Sequence, residues 1–69
     1  MKTIRELRIA ANLTQLELAN AIGVTPSAVY KWERGQTEPS ATNLKDLAGA
    51  LGVSMDEIDL EVWYAKSAA

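Results

Sequence analysis

Between Thr14 and Gly35 the chain spells two short helices separated by one residue suited to a sharp reversal, and that unit constrains the whole fold. A helix leaves its first N–H groups without partners, and a Ser or Thr hydroxyl just ahead of it accepts one of them. Thr14-Gln15-Leu16-Glu17 reads as such a start, with Glu17 placed to reach back to the N–H of Thr14. The helix it opens runs to about Ile22 and buries Leu18, Ala19 and Ile22. Gly23 follows, where a left-handed turn is inexpensive only for glycine. Thr25 then caps a second helix whose first residue is Pro26, a position where the missing N–H costs nothing. Ala28, Val29 and Trp32 form its apolar stripe, and Ser27, Tyr30, Lys31 and Arg34 lie mostly off it. Gly35 ends it.

Ala19 lies four residues before the glycine, where two crossing helices must approach closely and a small side chain is wanted. Val29, six residues after it, fills the angle between them. One capped helix would mean little, but these features at these mutual spacings are specific. They suit one helix held rigidly while its polar side enters a DNA major groove.

With those residues in view, the chain resembles the phage repressor and Cro type of helix-turn-helix, also called the Xre family. The resemblance covers roughly Ile4 to Ile58. It includes Leu-Arg at 7–8, Leu-Thr-Gln at 13–15, Glu-Leu-Ala at 17–19 and Ile-Gly-Val at 22–24. Trp-Glu-Arg-Gly at 32–35, Pro-Ser at 39–40 and Leu-Ala-Gly-Ala-Leu-Gly-Val-Ser at 47–54 continue it. It implies an all-α fold, a compact bundle of short helices of the lambda-repressor type that binds operator DNA as a dimer.

Composition sets the limits. Sixty-nine residues make one small domain, which buries only about 60% of its unfolded surface. The chain has no cysteine and no histidine. That removes disulfides, the usual zinc sites, the commonest general base and the thiol nucleophile, so no enzyme and no cofactor is expected. No apolar run approaches a membrane span, and the N-terminus lacks a signal-peptide core, which leaves a cytoplasmic location as the expectation. The net charge of −2 argues at face value against a nucleic-acid partner. Its distribution answers this. Residues 1–45 carry six Lys/Arg and four acids, and residues 46–69 carry one Lys and five acids.

Outside the central unit, Thr3-Ile4-Arg5-Glu6 opens a first helix that ends near Ala11 or Asn12, with Ile4, Leu7 and Ala11 on one face. Pro39-Ser40 announces a fourth, whose Leu44, Leu47, Ala48 and Leu51 make a core stripe before Gly52. Ser54-Met55-Asp56-Glu57 caps a short fifth helix through Ile58, giving five in all. Residues 1–58 are thus the DNA-binding domain and 59–69 a C-terminal extension. Its Leu60, Val62, Trp63 and Tyr64 either cover an edge of the bundle or meet a second subunit.

The resemblance assigns roles at the DNA face. Gln15 is expected to meet a phosphate at the start of its helix, with Thr25 and Arg34 as further phosphate contacts. A simple cap for Thr25 and a solvated charge for Arg34 are the plainer alternatives. Base reading falls to the exposed face: Ser27 at a base edge, Lys31 at guanine O6 or N7, and Tyr30 on a sugar or thymine methyl unless it lies flat on the bundle. Pro26 stands where several relatives carry a base-reading amide, so apolar contact with a thymine methyl is expected there instead. Arg8 and Glu33 match an ion pair between the first and third helices, the alternative being two exposed charges. Gln36, Thr37 and Glu38 replace basic residues frequent in that loop, which implies low non-specific affinity. Together these expectations describe a sequence-specific transcriptional regulator, a repressor, on an inverted-repeat operator. The competing use of the same fold is protein binding, as in antitoxins, which the acidity favours.

Overall fold

The computed structural model describes residues 2–60. Four α-helices follow in order, α1 (Ile4–Ala10), α2 (Gln15–Ile22), α3 (Pro26–Glu33) and α4 (Ala41–Leu51), and then a single 3-10 turn at Met55–Glu57. Each α-helix opens on a hydroxyl. Thr3 accepts from the Glu6 N–H at 3.2 Å and Thr14 from Glu17 at 3.0 Å, and both glutamates accept from the cap's own N–H in return. Thr25 accepts from Ala28 at 3.2 Å and Ser40 from Asn43 at 3.1 Å. These bonds lie within four residues of chain, so each start is set locally.

α2 packs against both α3 and α4, α1 packs against α3, and the 3-10 turn closes against α4. All four helices supply the core: Ile4, Leu18, Ala19, Val29, Trp32, Leu47 and Ala48 are buried, with Ile58 added from beyond the last turn. Leu7, Leu13, Ile22, Val24, Ala28, Leu44, Leu51, Val53 and Leu60 ring it, half-buried. Full burial of one such Leu or Val side chain stabilises the fold by about 1.5–3 kcal/mol.

Two features depart from the sequence expectation. First, α1 stops at Ala10, and Ala11 is exposed outside the core. The reason is Asn12, which adopts φ 64, the left-handed conformation that glycine supplies after α2 and α4. Second, the expected fifth helix is one 3-10 turn. The Ser54 N–H donates to Glu57, and the Ser54 hydroxyl donates to Asp56 at 2.7 Å. Ile58 then turns extended to form a parallel bridge with Lys2. Beyond Ile58 the chain stays on the bundle, the first of the two uses left open for Leu60. The Asp59 N–H donates to the Lys2 carbonyl at 2.7 Å, and Leu60 packs on the core. Val62, Trp63 and Tyr64 lie outside the described residues.

Two glycines with opposite roles make the backbone argument testable. Gly23 sits at φ 74 and Gly49 inside α4, and a Cβ at either would meet nothing within 4 Å. Space is therefore equal and only conformation differs. Gly49→Ala should stabilise the domain by about 0.8–1 kcal/mol through helix propensity. Gly23→Ala should cost about 1–2 kcal/mol through left-handed strain. Chemical denaturation of both variants beside the parent checks the signs, and a stable Gly23 variant contradicts the account.

Candidate nucleic-acid interface

The α2–α3 turn is closed at one carbonyl. The N–H groups of Gly23 and Val24 both donate to Ala19 O, the latter at 3.0 Å. Ala19 and Val29, each fully buried, fill the helix crossing. With Val29 and Trp32 turned inward, the opposite side of α3 is committed to solvent. Pro26, Ser27, Tyr30, Lys31 and Arg34 are all exposed there, and Thr25 is exposed at its head. Thr25 caps the helix by accepting from the Ala28 N–H.

The far end of α3 is fixed by a polar network. Arg8 Nε donates to Glu33 Oε2 at 2.7 Å, and its NH2 donates to Oε1 at 3.2 Å. The third guanidinium nitrogen donates to the Leu13 carbonyl at 2.8 Å. Gln15 Nε2 adds a bond to Glu33 Oε1 at 3.0 Å. The side chains are only 12% and 4% exposed, and among the described residues no buried side-chain polar atom lacks a partner. The Glu33 carboxylate beside Arg8 holds the guanidinium's pKa above its ordinary value, so the arginine stays charged at any physiological pH.

The expected site residues thus divide. Ser27, Tyr30, Lys31 and Arg34 share the open face of α3, with Pro26 and Thr25 at its start. Gln15 is half-buried, and one of its amide hydrogens is spent on Glu33. Its backbone N–H, in the first turn of α2, has no helical partner and remains suited to an anion. Three contacts are not in the sequence expectation: Gln15 to Glu33, Arg8 to Leu13 O, and the Arg34 guanidinium over the Tyr30 ring at 5.5 Å. Only the last had a sequence signal, the i, i+4 spacing of Tyr30 and Arg34. Gln36, Thr37 and Glu38 are exposed after the helix and bring no cation to this side.

A capped helix, a left-handed glycine, and a second helix buried on one side and polar on the other define a helix-turn-helix module. The comparisons agree. Residues 4–58 match the helix-turn-helix family model, and the chain belongs to that family. The transcriptional activator BcrR of Enterococcus faecalis is 36% identical over 80% of this chain and 27% of its own length. The cryptic phage CTXphi transcriptional repressor RstR of Vibrio cholerae is 39% identical over 74% of this chain and 46% of its own. The chain therefore spans less than half the length of either relative. The solution structure of the DNA-binding domain of the phage P22 C2 repressor superposes with a TM-score of 0.74 at 40% identity. That match covers 77% of this chain and 70% of the other.

The network yields a stability prediction. Glu33→Ala leaves a buried guanidinium without its counter-charge, which costs about 3–5 kcal/mol where the pair is well buried. For a domain this small, that lowers the melting temperature by more than about 10 °C. Replacing both members with apolar residues (Arg8→Met with Glu33→Leu) should cost much less. Melts of the single and double variants decide it, and a parent-like melt for Glu33→Ala rules the pair out as a structural element.

Proposed function

We propose that this chain is a sequence-specific DNA-binding transcriptional regulator that lays α3 in the major groove of an inverted-repeat operator as a homodimer. The observation that carries the reading is the rigid display of α3. Val29 and Trp32 anchor it below while Ser27, Tyr30, Lys31 and Arg34 stand exposed above. Among the described residues, Lys31 and Arg34 have no acidic partner, so both positive charges are available to the nucleic acid. Family membership supports the same use, and the relatives' names include both a repressor and an activator.

In this reading, Gln15, Thr25 and Arg34 contact phosphates and set the register. Ser27 and Lys31 address base edges, Lys31 at a guanine, and Pro26 offers apolar contact to a thymine methyl. Repression is the reading for the regulatory sign, since a module this small blocks a promoter simply by occupying it. No helix among the described residues is long and apolar enough to cross a membrane, which is consistent with access to DNA.

Two measurements test the reading. Lys31→Ala should flatten base preference at one position in each half-site, at a cost of about 1–3 kcal/mol for the preferred base. Binding to a panel of single-base operator variants reads this, and an unchanged preference profile excludes Lys31 from base reading. The second concerns stoichiometry. One domain with so few phosphate contacts reads only a handful of base pairs, too few against competing genomic sites. Two copies related by two-fold symmetry, with reading helices about 34 Å apart, double the sequence read. Sequences selected from a random DNA pool should therefore be inverted repeats, and complexes on them should contain two chains. Saturation at one chain per operator, at every protein concentration, overturns the dimer.

A further inference from the structure

Arg34 is held differently from the other arginine that touches α3. Arg8 is surrounded by hydrogen-bond acceptors and committed to Glu33 and Leu13. Among the described residues the Arg34 side chain has no hydrogen bond and no ion pair. Its one contact is the Tyr30 ring, one helical turn earlier, 5.5 Å from the guanidinium carbon to the ring centroid. Tyr30 is 40% exposed, and Arg34 caps the C-terminal end of α3. The ring is therefore partly open to solvent on the side of α3 that carries Lys31 and Arg34.

An exposed arginine at a helix end samples many rotamers, and a phosphate contact must offset the entropy of fixing it. A ring attracts a guanidinium through its π face, while guanidinium hydrogen bonds leave in its own plane. A cation held against an aromatic ring therefore keeps N–H groups for a further partner. The helix C-terminus adds attraction for the positive charge and keeps it near the last turn.

We propose that Tyr30 is a positioning residue whose ring pre-orders Arg34, so that the two form one phosphate clamp at the C-terminal end of α3. This rests on the DNA-binding reading above and goes beyond it. Tyr30 acts through Arg34, and its hydroxyl is dispensable. The clamp also explains how a chain with no basic residue at 36–38 retains an effective backbone contact on this side.

The test is a double-mutant cycle on a selected operator, with binding measured across salt concentrations. Arg34→Ala should weaken binding and lower the slope of log affinity against log salt by about one unit. Tyr30→Leu should weaken binding about two- to fivefold, the range for an exposed cation–π contact. Tyr30→Phe should restore parental affinity. In the Arg34→Ala background, Tyr30→Leu should produce no further loss. All variants should stay folded, with melts no more than a few degrees below the parent's. An undiminished Tyr30→Leu effect in that background means that the ring contacts DNA on its own and overturns the clamp. So does a Tyr30→Phe variant as weak as Tyr30→Leu. If the parent binds no selected DNA at all, the DNA reading falls and the clamp with it, an outcome separate from a bound parent with independent side chains.

Discussion

The orientation of α3 depends on one buried charge pair. Glu33 is the last residue of that helix, and its carboxylate takes bonds from Arg8 in the middle of α1 and Gln15 at the start of α2. Arg8 is in turn tied to the carbonyl of Leu13, in the segment joining α1 to α2. Three helices and a connection thus meet at two side chains. Taking these charges from water is costly, and their attraction roughly offsets that cost only because each guanidinium nitrogen and both carboxylate oxygens have a partner. The pair is better understood as a pin than as a source of stability. Burial of Leu18, Val29, Trp32 and Leu47 drives the collapse. The pin ties the C-terminal end of α3 to α1 and α2 once it has happened.

That division explains what the sequence makes readable. The helix starts at Thr3, Thr14, Thr25 and Ser40 are encoded within three residues and appear where the local pattern puts them. The glycine after α2 and the apolar stripes of α3 and α4 are equally local. Misreadings arise where a residue's conformation depends on distant chain. Asn12 ends α1 in a left-handed conformation that its side chain tolerates but does not demand. Ile58 leaves the helical register because Lys2, at the other end of the chain, offers a backbone partner. Nothing near Ser54 announces that.

The same reasoning applies to the reading face. Which residues of α3 point outward follows from period alone, since Val29 and Trp32 must point inward. What Gln15 does with its side chain does not follow, because its partner Glu33 lies eighteen positions away. The carboxylate draws the amide toward the bundle and leaves the backbone of the first turn of α2 as the part best placed for an anion. A helix N-terminus is a fixed partial charge that needs no side-chain ordering. On a surface with few cations it is correspondingly more important.

Adjacent positions at the end of α3 separate framework from function. Glu33 turns inward and is almost fully buried, whereas Arg34 is exposed beside the Tyr30 ring, with no ion pair among the described residues. One residue step on a helix rotates the side-chain direction by about 100°, enough to exchange interior for groove. A charge of one sign is thereby neutralised inside while the opposite sign remains outside, so the reading face is more positive than the composition of the helix suggests. This is how a chain with a net charge of −2 presents a surface compatible with a polyanion. On the proposed DNA face, Lys31 and Arg34 are exposed cations, while Glu33 beside them is neutralised by Arg8.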